Sequence, residues 1–326
     1  MRILRDPDIF NNTLNGSVVT IGNFDGVHRG HLEIFRCLKF QSRLLGLPSV
    51  VVTFEPHPMA VLSPENAPQL ITTFEQKTAL IAEAGIDHLA VFEFTREFSR
   101  IAPEAFVRDF LCKALGMRHL IIGHDYSFGR GRQGNYETLA SLGPACGFTL
   151  EDLDPVGEGG VIFSSSLARR LVSTGDMPGA AAILGRYHVI SGRVVHGREI
   201  GQMLGFPTAN IQTDNQLIPP DGVYAVMVAV GDTLLEGACN IGSNPTFDGK
   251  GRTIEVFLLD FAGQLYDREI AICFVQRLRG EKKFPDIEAL IHAIEQDVAA
   301  TRAILADVDP GMVKPLLDNS RKPGMN

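Results

Sequence analysis

The sequence predicts two folds in succession, an α/β module on a parallel sheet and then a small antiparallel β-barrel with a closing helix. Three observations carry that reading. Through the first half, short apolar runs alternate with helical patterns, as a parallel sheet with crossover helices requires. After about Gly185 the texture changes to apolar runs separated by Gly and Pro turns, the spacing of a small barrel. The length of 326 residues exceeds what one core ordinarily serves and fits about two domains of roughly 150 residues each.

Taken in order, residues 18–21, 49–54, 89–94 and 120–122 read as strands of the first module. Between them, 31–45, 75–84 and 103–115 carry apolar residues at three and four spacing, the period of a helix with one buried face. Pro103 suits a first helical turn. A helical pattern over 166–184 leads to a boundary near Tyr187. Beyond it, 189–195, 223–230, 234–241, 254–260 and 269–278 read as strands. Gly231-Asp232 between two of these runs is a two-residue hairpin signal, and 287–305 reads as one amphipathic helix. The expected organisation is thus one module over 1–186, a second over 187–308 and a loose tail over 309–326.

The bulk numbers narrow the function. A net charge of −8 and a pI near 5.6 disfavour a general nucleic-acid binder, which needs a clustered positive surface to neutralise phosphates. The first ten residues lack a continuous apolar signal-peptide core, and the longest apolar stretch, 223–230, is far shorter than a bilayer span. A cytoplasmic protein that does not enter the membrane is expected. Cys37, Cys112, Cys146, Cys239 and Cys273 are odd in number and never in C-x-x-C spacing, so they suggest neither a disulfide framework nor a zinc site.

The first candidate site follows the strand 18–21, in the string GNFDGVHRGH. Gly22 and Gly26 permit a tight turn around Asn23, Phe24 and Asp25, and His28 and His31 stand three apart at a helix start, where both imidazoles share one side. A helix N-terminus offers free N–H groups and partial positive charge to phosphate oxygens. An arbitrary HxxH is more often a turn cap beside a surface residue, but the preceding strand and glycine turn favour a site. No G-x-x-x-x-G-K-[ST] string is present, which excludes the usual P-loop. Gly129, Gly131 and Gly134 spell G-x-G-x-x-G, yet His124 to Phe128 separate them from the strand 120–122, so a dinucleotide fingerprint is rejected.

At these residues the chain resembles the nucleotidyltransferase superfamily with an HxGH-type motif, a Rossmann-like parallel-sheet fold, and within it the FAD synthetase branch. TFEPHP from Thr53, IGHDYSFGRGRQGN from Ile122 and FSSSLARR from Phe163 are similar to that branch's other motifs in order and spacing. The resemblance implies that His28 and His31 contact ATP phosphates, with Gly22, Asn23, Phe24, Asp25 and Gly26 around the nucleotide. It implies a flavin or nucleotide cleft at His57, Asp125 and Phe128, and phosphate contacts from Ser164, Ser165, Ser166 and Arg169. The family usually places an Arg directly after its Ser/Thr pair where this chain has Leu167, which leaves Arg169 as the expected clamp.

In the second module, LGFPTANI puts Thr208 and Asn210 on one face of an extended edge or turn. Their oxygens are hard donors suited to Mg²⁺, although PTAN alone is only a turn. In RTIEVFLLD, Glu255 shares a face with Phe257 and Leu259. A carboxylate among such apolar neighbours is raised toward a general-base range; the alternative is an edge-strand Glu reaching solvent.

GRVVHG, LGFPTANI, NIGSNPTF, IEVFLLDF and RGEKKF together resemble the riboflavin kinase module, so the motifs span nearly the whole chain to about Leu305. The bifunctional riboflavin kinase/FAD synthetase family is the one implied. By that resemblance, Thr208 and Asn210 bind Mg²⁺ and ATP with Arg198, Glu255 activates the riboflavin 5′-hydroxyl, and Arg279, Glu281 and Phe284 lie near the flavin. Three positions depart from the family: Ile200 and Gln202 stand where its loop is more basic, and Phe257 where it often has a His. The implied chemistry is phosphorylation of riboflavin to FMN and adenylylation of FMN to FAD, with ATP as co-substrate. A FAD synthetase with a degenerate kinase module, or a non-catalytic flavin and nucleotide binder, fits the same strings.

Overall fold

The computed structural model describes residues 1–6, 9, 14–124, 126–197, 200–244 and 251–313. The chain divides into two compact units, Met1–Gln69 with Lys77–Ser164, and Leu70–Gln76 with the chain from Ser165 on.

The first unit is built on six strands, β1 (Arg2–Arg5), β2 (Ser17–Ile21), β3 (Ser49–Glu55), β4 (His88–Glu93), β5 (Met117–Gly123) and β6 (Thr149–Leu153), in the order β1-β4-β3-β2-β5-β6. Every neighbouring pair is parallel. β2 is buried along its whole length and β3 along most of it, which explains their continuous apolar runs. Crossovers carry α1 (Arg29–Leu45), α2 (Pro58–Leu62), α3 (Phe74–Glu83), α4 (Pro103–Ala105, continuing as a π-helix over Phe106–Ala114) and α5 (Tyr136–Cys146). Helix α1 buries Gly30, Phe35, Leu38 and Ser42, and ends at Gly46 in the left-handed conformation.

The core of this unit is an aromatic cluster. Phe92, fully buried, meets Phe110, Phe98 and Phe106 at ring centroids 5.4, 5.9 and 6.2 Å away. Such offset and edge-on pairs add to the apolar burial itself. A short hairpin of β7 (Gly157–Glu158) and β8 (Val161–Ile162) completes the unit.

In the second unit the expected helical stretch 166–184 is two helices, α6 (Ser165–Thr174) and α7 (Met177–Leu184). Gly175 at φ 81° ends the first, and the Asp176 side chain caps the second. Then β9 (His188–Val195), α8 (Ile200–Met203), β10 (Thr208–Gln212), β11 (Gly222–Val230), β12 (Thr233–Asn244), β13 (Gly251–Leu258), β14 (Glu269–Arg279) and α9 (Ile287–Leu305) follow. The six strands close into an antiparallel barrel of order β10-β13-β12-β11-β14-β9. β10, expected as an edge or turn, is paired on both sides, because closure leaves no edge. Gly231-Asp232 joins β11 to β12 with Val230 opposite Thr233.

Leu305 of α9 packs with Ala225 and Val275, so the helix closes the barrel. The expected loose tail is packed as far as Val313. Tyr187 N donates to Met312 O at 3.3 Å, Val313 is buried, and Val308 packs against the cluster of Ala225, Val275 and Leu305. Leu70–Gln76 joins this unit through Gln76, whose amide meets Asn215 and Ser191. No helix of the described residues is long and apolar enough to cross a membrane.

Phe92→Ala is expected to lower the stability of the first unit by about 3–5 kcal/mol, the cost of a large cavity. Chemical denaturation measures it; a loss below about 1 kcal/mol would show that the cluster collapses around the gap.

Candidate functional site

The strand order places a switch point between β2 and β5. The chain steps from β2 outward to β3 and β4, then returns to β5 on the other side of β2. At such a point the two connections leave in opposite directions and open a crevice at the carboxyl ends of the strands. GNFDGVHRGH follows β2, HDYSFG follows β5 and TFEPHP closes β3. Sheet order therefore gathers three motifs that are far apart in sequence.

The turn after β2 is held in a sparsely populated backbone conformation, with Phe24 at φ 49°, Gly26 at 78° and Val27 at 38°. For a β-branched residue such as Val27 this is a genuine outlier, and outliers of this kind gather at functional sites. Phe24 is anchored by its ring, 5.0 Å from Phe35 and 5.1 Å edge-on from His31.

His28 is the N-cap of α1, its Nδ1 accepting from His31 N at 3.4 Å. That nitrogen is therefore unprotonated, which in the neutral ring leaves the proton on Nε2 as a donor. The two imidazoles stack with centroids 3.6 Å apart, so the expected shared side is realised. Gly30 lies close beneath the His28 ring, where a Cβ would stand 3.1 Å away and press on it.

One group at this end of the sheet escaped the sequence reading. Lys77 of α3 is buried, its Nζ 3.4 Å from Thr53 Oγ1 and 3.5 Å from the Asn23 carbonyl oxygen. Burial lowers its pKa, while the Glu55 and Asp25 carboxylates act in the other direction. The available signal was its phase, because Lys77 stands three and four residues from Leu80 and Ile81 on the buried stripe of α3.

The remaining residues expected in this module are placed as follows. His57 caps α2, Nδ1 accepting from Met59 N at 3.2 Å. Phe128 is buried, stacked on Tyr126 at 5.6 Å and packed against Phe106. Asp125 lies outside the described residues, as does Arg198 of the second module. Ser164 ends the first unit, while Ser165, Ser166 and Arg169 stand on the first two turns of α6.

In the barrel, Thr208, Asn210, Glu255, Arg279, Glu281 and Phe284 all line one cavity of about 330 Å³. Asn210 and Asn240 lie directly opposite Glu255 on the two flanking strands. The carboxylate therefore stands in a polar row across the strands, in a cavity whose wall also carries Phe206, Phe257 and Phe284. In-register residues on paired strands share a face, so both asparagines stand on the Glu255 side of the sheet. Asn240 was missed, although it alternates with buried Cys239 and Ile241 along β12. Phe257 forms cavity wall with Phe206, edge-on at 5.5 Å.

The Asn210 amide packs against the backbone of Gly197, where a Cβ would come within 2.1 Å of its nitrogen. Arg279 is held by Asp297 of α9 through two bonds, Nη2 to Oδ2 at 2.7 Å and Nε to Oδ1 at 3.0 Å. Both side chains are mostly buried, and the guanidinium lies 5.6 Å from the centre of the Phe284 ring. Asp297 also lines the cavity and was missed as one acidic residue on an amphipathic helix.

The chain matches the family model of FAD synthetase over residues 10–167 and that of riboflavin kinase over 184–305. It is similar to the bifunctional riboflavin kinase/FMN adenylyltransferase of Pseudomonas fluorescens, 41% identical over 89% of this chain and 94% of that one. The protein of the same description from Escherichia coli K12 is 38% identical, covering 92% of this chain and 95% of that one. A crystal structure described as a macrolide-efflux protein from Streptococcus pneumoniae superposes with a TM-score of 0.86 at 28% identity, over 93% of this chain and 99% of that one.

Asp297→Ala strips the Arg279 guanidinium of its carboxylate inside the cavity. It is expected to cost about 3 kcal/mol of barrel stability, with Asp297→Asn costing less. Thermal or urea unfolding measures this, and equal stability of both variants with wild type would show that Arg279 finds water instead.

Proposed function

The chain belongs to the bifunctional riboflavin kinase/FMN adenylyltransferase family, and we propose that it phosphorylates riboflavin in the barrel cavity and adenylylates the resulting FMN at the carboxyl end of the parallel sheet. ATP is the co-substrate of both steps. The functional modules are residues 1–186 and 187–308, and the protein works in the cytoplasm.

One observation carries the reading. Thr208, Asn210 and Glu255 stand on paired strands of a closed barrel and line one cavity with Arg279 and Phe284, which is what transfer of a phosphoryl group to a bound alcohol needs. Glu255 takes the proton from the riboflavin 5′-hydroxyl as that oxygen attacks the γ-phosphorus and ADP leaves. Phe257, Phe206 and Phe284 offer aromatic surface to an isoalloxazine ring, and Arg279 is kept in place by Asp297.

The donor set fits a magnesium ion. Thr208 and Asn210 present a hydroxyl and an amide oxygen, hard donors on the wall of one cavity. Among the described residues no group of three or more His, Cys, Asp or Glu side chains is placed to hold a metal; Thr208 and Asn210 would hold a magnesium ion together with nucleotide phosphates. When bound it neutralises phosphate charge as the phosphoryl group moves.

At the parallel sheet, a phosphate oxygen of FMN attacks the α-phosphorus of ATP and pyrophosphate leaves. The N-terminus of α1 and the His28 and His31 donors stabilise the charge on the transferring phosphorus and on the leaving group. Asn23, Asp25 and the turn around them surround the nucleotide, with Ser164 as a further phosphate contact and Asp125 and Phe128 as flavin contacts. Arg198 is a further contact for the kinase's ATP.

His28→Ala and His31→Ala are each expected to cut FAD formation from FMN by about 10²-fold while FMN formation from riboflavin stays near wild type. Chromatographic resolution of the two products reads both rates, and equal loss of both activities in a folded variant would refute separate sites. Glu255→Gln keeps the volume but cannot accept the hydroxyl proton, so riboflavin phosphorylation should fall by roughly 10²- to 10⁴-fold with FAD formation from supplied FMN intact. A Glu255→Gln protein that phosphorylates riboflavin at the wild-type rate would place the base elsewhere.

A further inference from the structure

Lys77 is a buried ammonium that neither reaction step above employs. Three pieces of chain meet at it: α3, which carries it, β3, which supplies Thr53 and Glu55, and the turn after β2, which supplies the Asn23 carbonyl. The Thr53 hydroxyl donates to the same carbonyl at 3.3 Å, so two donors converge on one backbone oxygen. Glu55 Oε2 stands 3.9 Å from Nζ, and the Asp25 carboxylate also acts on it.

Stability alone does not account for a lysine here. Taking an ammonium out of water is costly, and replacing a buried ion pair by an apolar side chain of similar shape is often neutral or favourable. What the lysine has and a methionine lacks is a charged donor aimed at the Asn23 carbonyl. In a planar trans peptide the C=O and the following N–H point in opposite directions. Holding the Asn23 oxygen against Lys77 therefore turns the Phe24 N–H away from Lys77 and fixes the peptide that leads into the left-handed Phe24. From there the turn runs through Gly26 and Val27 to the His28 cap. The positive charge also offsets Asp25 and Glu55, whose carboxylates would otherwise repel a triphosphate brought to this end of the sheet.

We propose that Lys77 is a positioning residue for adenylyl transfer, clamping the turn after β2 so that its backbone donors and the stacked imidazoles meet the phosphates of ATP in fixed geometry. The inference rests on the reading of this unit as the adenylylation site.

The test uses the full chain as wild type, Lys77→Met and Lys77→Arg. Each is assayed for FAD from FMN, ATP and Mg²⁺, and separately for FMN from riboflavin, with a melting curve alongside. Lys77→Met should lose about 10²-fold in kcat for FAD, the typical cost of misplaced reacting groups. Its KM values should stay within about threefold, and its FMN formation and melting midpoint should match wild type. Lys77→Arg, which keeps the charge and the donor, should recover most of the lost rate. A Lys77→Met protein that makes FAD as fast as wild type overturns the proposal. So does a loss that comes with a lowered melting midpoint and is not restored by Lys77→Arg, because that is a structural role. A wild-type protein that forms FMN but no FAD overturns the adenylylation reading itself and this inference with it.

Discussion

The turn from Gly22 to His28 is the constraint on which the first unit depends. Two of its non-glycine residues, Phe24 and Val27, sit in the left-handed region, at a cost of order 1–3 kcal/mol each. Such a conformation persists only where the surroundings over-determine it. Here the Phe24 ring is wedged against Phe35 and His31, the Asn23 carbonyl is held by Thr53 and Lys77, and His28 locks the start of α1 by accepting from His31 N. The result is a helix N-terminus with two stacked imidazoles at the carboxyl end of β2, beside the β2/β5 switch point. Position within the sheet thus gives the motif its meaning, since the same residues on an arbitrary surface helix would cap it and do nothing more.

The second unit solves a different problem by closure. A barrel has no free edge, so the register of β10, β13 and β12 is fixed on both sides. That matters because a slip of one residue would exchange the faces of β13, turning Glu255 into the core and Val256 into the cavity. With register fixed, Asn210, Glu255 and Asn240 form one row across three strands. The Arg279–Asp297 pair fastens the closing helix to the rim of the same cavity, so the element that completes the barrel also completes the wall.

Much of this was legible in the sequence. Strands β2 to β5 declared themselves as apolar runs because they lie inside the sheet, and α9 matched its expected span because nothing interrupts its period. The edge strands β1 and β6 did not, since strands at the margin of a sheet have less to bury and read as ordinary polar loops. Helix α5 was hidden by Gly143 and Pro144 within it. Among the candidate residues, the placements of His28, His31, Thr208, Asn210 and Glu255 were legible because short strings hold them in fixed phase. Lys77, Asn240 and Asp297 were not, because each is an ordinary polar residue on an amphipathic element until the fold brings a partner to it. The asparagines opposite Glu255 come from other strands, so its own segment does not announce them.

The central claim is that one chain carries two chemically distinct transfers at two separate sites. The most direct measurement is a time course of purified wild-type protein with riboflavin, ATP and Mg²⁺, resolving riboflavin, FMN, FAD, ADP and pyrophosphate. The account predicts that FMN and ADP appear first and that FAD and pyrophosphate follow, with one ADP for each FMN formed and one pyrophosphate for each FAD. FAD appearing when FMN is supplied, with no FMN ever formed from riboflavin, would contradict it.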